Sequence, residues 1–290
     1  MKTSKINKVG IVGCGLMGSG IAEICARSGS NVIVREVDES NVKVGRKRIQ
    51  KSIDRAVLSG KMTDEVRSSI LDKLNFTTEI SDLCDCDLVI EAVIEDEQLK
   101  TTIFKELDRV VSKADAILAT NTSSIPIMKL GMVTGRPSQV VGIHFFNPVP
   151  VLRLVEVVPS LLTSDETLKR AKDFAELTLG KKVILAKDRA GFIVNSLLIP
   201  YILSAIRMLE SGYASAEDID TGMMEGCAHP MGPLRLADLI GLDTTVAVAE
   251  SLYSEFREQL FATPPLLARM VDAGLLGRKV GRGFYDYRLQ

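Results

Sequence analysis

The segment Lys8-Val9-Gly10-Ile11-Val12-Gly13-Cys14-Gly15-Leu16-Met17-Gly18 leaves few choices for how this chain folds. A short apolar strand runs straight into G-x-G-x-x-G, and a helical pattern over residues 18–28 follows, closed by Gly29. Residues 31–36 then read as a second strand that ends in an acid. Strand, glycine turn, helix, strand and acid, in that order, form a βαβ unit that holds a dinucleotide at the helix N-terminus. Gly13 allows the tight turn, Gly15 lets the backbone approach a pyrophosphate, and Gly18 lets the helix pack on the strand. Cys14, Leu16 and Met17 complete the loop, whose helix supplies N–H donors and a positive dipole end. Glu36 lies 23 residues after Gly13, near the spacing at which a carboxylate meets the adenine ribose diol. Arg35 could instead pair with a 2′-phosphate, but successive strand residues point to opposite faces. The spacing gives the ribose to Glu36, so NAD is the expected cofactor and not NADP.

Residues 39–59 and 63–74 read as two helices broken at Gly60. The first carries Lys43, Arg46, Lys47, Arg48, Lys51 and Arg55, either a solvated face or a patch for a phosphate-bearing ligand. Residues 87–93 form a near-continuous apolar run, as a parallel strand buried on both faces would. Glu95 and a charged helix over 96–112 follow, then a buried strand over 116–120 and Asn121-Thr122-Ser123-Ser124. Ligands of open α/β sheets sit beyond the carboxyl ends of the strands, where Glu95, Ser123, Ser124 and His144 all fall. Taken alone, Ser123 would more simply cap the helix that begins near Ile125-Pro126.

Val141-Gly142-Ile143-His144-Phe145-Phe146 is an apolar run holding one of the chain's 2 histidines. Twelve residues on, Leu154-Val155-Glu156-Val157-Val158 places a lone carboxylate in a second β-branched run. A titratable group inside an apolar strand is costly to bury without a partner. Two of them on successive strands satisfy each other. A carboxylate that fixes the tautomer of an imidazole makes a general acid/base, and the same pairing also serves a purely structural histidine.

Thr163-Ser164-Asp165-Glu166 opens a helix running to about Leu179, and residues 182–186 give one more strand. From Gly191 to about Leu276 the pattern is helical throughout. The chain therefore reads as an α/β domain, residues 1–188, followed by an all-α domain, residues 189–290. The helix over 191–210 is apolar on most faces and needs cover from its own domain or a second subunit. Asn195 is a polar residue in its first, apolar turn, and His229 reads as structural. The longest apolar stretch contains Asn195, Pro200 and Arg207, which suits a buried helix and not a membrane span. With Lys+Arg 36 against Asp+Glu 37, no global charge points to nucleic acid or an anionic membrane. Five cysteines without paired spacing suit reduced thiols in the cytoplasm, no metal site is expected, and a strand beginning near residue 8 leaves no room for a signal peptide.

GCGLMG, Ser123 in NTSS, HFFNPVP with Glu156, GFIVN with Asn195, HPMGP and GRGFYDY occur here in one order. The set resembles the 3-hydroxyacyl-CoA dehydrogenases, from about residue 6 to 287, and among them the single-function bacterial 3-hydroxybutyryl-CoA enzymes. The resemblance implies a Rossmann-type NAD-binding domain, a helical domain that forms a homodimer, and oxidation of L-3-hydroxyacyl-CoA by NAD⁺. It implies His144 as catalytic base, Glu156 as its orienting carboxylate, and Ser123 and Asn195 as hydrogen-bond donors to the substrate oxygens. Glu36, Glu95, Lys100, Asn147 and Lys279 match nucleotide contacts, and Ser52 falls near the coenzyme A contacts. Ser59 stands where some members have a lysine, and Arg55 and Lys61 are the cations available to compensate. Two rivals remain. A dehydrogenase of free 3-hydroxy acids would need a cation for the substrate carboxylate and no basic helix. A non-enzymatic NAD(H)-binding protein would keep GCGLMG and Glu36 without His144, Glu156, Ser123 and Asn195.

Overall fold

The computed structural model describes residues 5–288. One compact unit runs to Arg189 and a second begins at Ala190. In the first, the elements in chain order are β1 (Lys8–Val12), α1 (Leu16–Arg27), β2 (Asn31–Arg35), α2 (Glu39–Leu58), α3 (Asp64–Leu71) and β3 (Leu74–Thr77). They continue as β4 (Leu88–Glu91), α4 (Glu97–Val110), β5 (Ile117–Thr120), α5 (Ile127–Met132), β6 (Val140–Phe145), β7 (Leu154–Pro159), α6 (Asp165–Asp173) and β8 (Lys182–Leu185).

Among the described residues the strands form one eight-stranded sheet in the order β3-β2-β1-β4-β5-β6-β7-β8. All neighbours are parallel except β6 and β7, which form an antiparallel ladder. The order reverses between β1 and β4, which puts the crevice of a doubly wound fold at their carboxyl ends. Leu88, Val89, Ile90, Ile117, Leu118 and Ala119 are fully buried, as helices on both faces of a parallel sheet require. The second expected helix ends at Leu71, and Leu74-Asn75-Phe76-Thr77 turns into the edge strand β3. Four half-buried residues on one edge carry too little periodicity to separate strand from helix. The helix α6 is capped by Ser164, one residue later than the expected box, because the Thr163 hydroxyl donates to the Val140 carbonyl at 2.6 Å.

The second unit is helical: α7 (Val194–Glu210), α8 (Ala216–Cys227), α9 (Pro233–Ile240), α10 (Leu242–Phe256) and α11 (Pro265–Asp272). Ile199, Ile202, Leu203, Ile206, Leu234, Leu242 and Leu252 form its core. Its glycine-rich C-terminal loop is fastened by buried Asp238, which accepts from the Phe284 and Tyr285 amides at 2.9 and 3.0 Å and from the Tyr287 hydroxyl at 3.0 Å. Asp220 accepts from the Tyr285 hydroxyl at 2.8 Å. No helix among the described residues is long and apolar enough to cross a membrane.

Candidate active site

The glycine loop closes as its residue types demand. Gly13 has φ +90°, a region that L side chains rarely enter. A Cβ at Gly18 would stand 1.8 Å from the Gly13 carbonyl oxygen. A Cβ at Gly15 would meet no atom within 4 Å, so the backbone there faces open space. α1 starts at Leu16, earlier than its pattern suggested, and no side chain caps its first N–H groups. Uncapped donors over an open glycine suit a phosphate. Glu36, just past β2, accepts from the Cys14 and Val37 amides, so its carboxylate sits at the mouth of the loop. Arg35 turns away, donating to the Thr78 carbonyl at 3.2 Å. Arg48, which sequence reasoning placed only in a charge run, reaches from α2 to the Cys14 carbonyl at 2.8 Å. The Cys14 thiol is pushed up to about 12, by burial first and then by Glu36, and so stays protonated. These residues fit a dinucleotide.

His144 and Glu156 stand directly opposite each other in the β6–β7 ladder. Side chains so paired lie on the same face within contact distance. His144 Nδ1 lies 2.7 Å from Glu156 Oε2, and Glu156 is fully buried. On the other side of the ring, Ser123 Oγ lies 2.9 Å from Nε2. The ring also packs edge-on against Phe146, with centroids 4.7 Å apart. Ser123 is therefore not a helix cap. The cap of α5 is Pro126, and its first amides, Ile127 and Met128, donate to Asp188 at 2.8 and 2.9 Å. Asn121 holds the end of β6, accepting from the Phe145 amide at 2.9 Å.

Glu95 organises the loop that carries Ser123. Its Oε1 accepts from the Ser123 and Ser124 amides at 3.1 Å each, from the Ser124 hydroxyl at 2.7 Å and from the Thr122 hydroxyl. Lys100, buried, lies 3.3 Å from Glu95 Oε2 and 2.6 Å from Glu91 Oε1. Burial pushes the Glu95 carboxyl up, but the Lys100 charge and the Thr122 and Ser124 hydroxyls outweigh it and hold it below the usual range. Sequence reasoning missed Glu91 and Thr122. The signal that singled out Glu156, a carboxylate inside an apolar strand, was present at Glu91 too.

The remaining residues spread wider. Ser52, Arg48 and Asn147 line one cavity of about 120 Å³ within the first unit. The loop after Asn147 is fixed by Lys181, whose ammonium donates to the Val149 and Leu152 carbonyls at 2.6 and 2.7 Å. Arg55 shares an open groove along α2 with Lys47 and Lys51, whereas Lys61 lies beyond the helix and does not line that groove. In the second unit, Asn195 is half-buried in the first turn of α7. Lys279 pairs with Asp243 at 2.5 Å, and His229 faces the Tyr201 hydroxyl at 3.2 Å. No group of three or more metal-ligating side chains gathers among the described residues.

The family model of the 3-hydroxyacyl-CoA dehydrogenase NAD binding domain matches residues 8–189, and that of the family's C-terminal domain matches residues 191–287. The 3-hydroxybutyryl-CoA dehydrogenase of Mycobacterium tuberculosis is 56% identical over 282 residues, 97% of this chain and 99% of that protein. Its counterpart in Bradyrhizobium diazoefficiens is 43% identical over 98% of this chain and 96% of its own. The crystal structure of (S)-3-hydroxybutyryl-CoA dehydrogenase from Ralstonia eutropha superposes with a TM-score of 0.91 at 46% identity, covering 98% of this chain and 99% of that one. On its site, its fold and these matches, the chain belongs to the 3-hydroxyacyl-CoA dehydrogenase family.

Proposed function

We propose that this chain interconverts (S)-3-hydroxybutyryl-CoA and acetoacetyl-CoA with NAD(H). The observation that carries the reading is the line Glu156–His144–Ser123 at the carboxyl edge of the sheet. Glu156 holds the Nδ1 side of the ring and stabilises its cationic form, which leaves Nε2 to take a proton from a substrate hydroxyl. Ser123, already at hydrogen-bond distance from Nε2, donates to the same oxygen as its charge changes. Asn195 is proposed as a second donor to the substrate oxygen. When bound, the nicotinamide supplies the hydride chemistry. Gly13, Cys14, Gly15, Leu16, Met17 and Gly18 would cradle its pyrophosphate and Glu36 its ribose, with Glu95, Lys100, Asn147 and Lys279 as further nucleotide contacts. Arg55, with Lys47 and Lys51 beside it, offers the coenzyme A phosphates a cationic groove. Ser52 and Lys61 are assigned to the same ligand.

The chain is further proposed to work as a homodimer in the cytoplasm. Leu197 of α7 is 72% exposed, an apolar side chain that a second copy would cover. Its free thiols at Cys14, Cys25, Cys84, Cys86 and Cys227 suit a reducing compartment. The test of the activity follows NADH absorbance with acetoacetyl-CoA and, separately, with free acetoacetate. Oxidation with the thioester alone supports the proposal. Equal rates with the free acid would transfer the site to a free hydroxy-acid dehydrogenase, and no oxidation with either would leave a binding protein.

A further inference from the structure

Glu91 shares none of the hydrogen bonds above with Ser123 or His144, yet its carboxylate is held by three donors of its own. It ends β4, is fully buried, and its carboxylate faces donors only. Lys100 Nζ and the Val93 amide reach Oε1 at 2.6 and 2.7 Å, and the Thr120 hydroxyl reaches Oε2 at 2.7 Å. The Thr120 hydroxyl in turn accepts from the Thr122 amide at 3.1 Å, so its proton is committed to Glu91. These three polar contacts of the carboxylate are therefore all donors, one of them a cation. Lys100 is 1% exposed and has Glu91 close on one side and Glu95 farther off on the other. The three charges, Glu91⁻, Lys100⁺ and Glu95⁻, sum to −1. Lys100 faces both carboxylates but offsets only one negative charge, the one at the shorter distance, so the cluster stays a net anion with Glu95 on its partly exposed side.

That charge has a place relative to the reaction. The hydride acceptor has to lie against the carbon whose hydroxyl His144 holds. Ser123 binds His144 with its hydroxyl and Glu95 with its own amide. Glu95 would therefore be among the charges near a bound nicotinamide. The oxidised ring is a cation and the reduced ring is neutral, so the net charge of the cluster distinguishes them.

We infer that Glu91 is a positioning residue that sets this charge: by neutralising Lys100 it leaves the cluster, through Glu95, a net anion, and so shifts the site's affinity towards NAD⁺ relative to NADH. The inference rests on the reading of the chain as an NAD(H) dehydrogenase. It gives Glu91 a role besides packing, because a merely structural group would alter affinity for both forms of the cofactor alike.

The test is the ratio of NAD⁺ to NADH affinity. NADH is titrated by its fluorescence and NAD⁺ by competition against it. Glu91→Gln makes the cluster neutral and should shift the ratio towards NADH on the order of tenfold, the effect of one charge about 12 Å away at an effective dielectric near 20. Glu95→Gln should shift it the same way. The double variant Glu91→Gln/Lys100→Met replaces a buried ion pair on both sides by neutral groups, an exchange that folds commonly tolerate. It restores the sum to −1 and should return the ratio to the wild-type value even where absolute affinities fall. If Glu91 does not offset Lys100, the double variant will instead favour NAD⁺ by about tenfold over wild type, since it then gains an anion. That shift, or an unchanged ratio in Glu95→Gln, overturns the inference. Should Glu91→Gln fail to fold, the double variant and Glu95→Gln still decide. A wild type that oxidises NADH with acetoacetyl-CoA while the variants disobey these ratios loses only this inference. A wild type that binds neither cofactor form defeats the functional reading itself.

Discussion

Single residues carry the cofactor choice. Glu36 sits on the Cys14 amide while Arg35 is engaged with the Thr78 carbonyl, so the carboxylate and not the guanidinium faces the mouth of the glycine loop. A 2′-phosphate there would meet an anion. Glu36→Ser should weaken NADH and relieve NADPH, narrowing the preference from both sides, as kcat/KM with each cofactor will show. An unchanged ratio would mean that Glu36 does not read the ribose. At this scale the sequence was most informative where a titratable residue interrupts an apolar strand. That rule found His144 and Glu156, and applied evenly it would also have found Glu91. It could not have found Arg48 or Lys181, whose roles come from carbonyls brought close by the fold and not from any pattern along the chain.

Elements position these residues, and two of them are tests of the geometry. The first is α1 against β1. Gly18→Ala would place its Cβ 1.8 Å from the Gly13 carbonyl oxygen, a backbone atom that cannot swing aside, so the helix must shift off the turn. A small-to-large clash of this kind costs about 1–3 kcal/mol, and NADH affinity should fall with thermal stability. The second is the loop after β5. Lys100 and the loop hydroxyls hold Glu95 below its ordinary value of 4.5. A carboxyl whose folded pKa is depressed contributes stability that is fully present above the unfolded value and is lost as pH falls through the folded one. Order at Ser123 and Ser124 should therefore persist to pH 4.5 and fade below it, read as amide hydrogen exchange. Glu95→Gln should remove that acid transition. Most elements were legible because strands buried on both faces and capped amphipathic helices leave clear patterns. β3 was not, because an edge strand of four half-buried residues has almost none. The cap of α5 was misleading for a different reason. Ser123 has the right residue type, and only the tertiary fold shows His144 claiming its hydroxyl.

For the molecule as a whole, the change from alternating strands and helices to helices alone was visible in the sequence, and the structure has that architecture. Near-balanced charge hides one local concentration, the cationic groove of α2. Arg55→Ala should raise KM for acetoacetyl-CoA more than for a short thioester lacking the nucleotide, and added salt should show the same bias. Equal effects on both substrates would place the nucleotide elsewhere.

In the proposed reaction His144, oriented by Glu156, carries the proton of the hydride transfer. That role is tested most directly by comparing wild type and His144→Asn for NADH affinity and for kcat with acetoacetyl-CoA in one buffer. Loss of a general acid/base should lower kcat by roughly 10²–10⁴-fold with NADH affinity little changed. Near-normal turnover in His144→Asn would remove His144 from the mechanism.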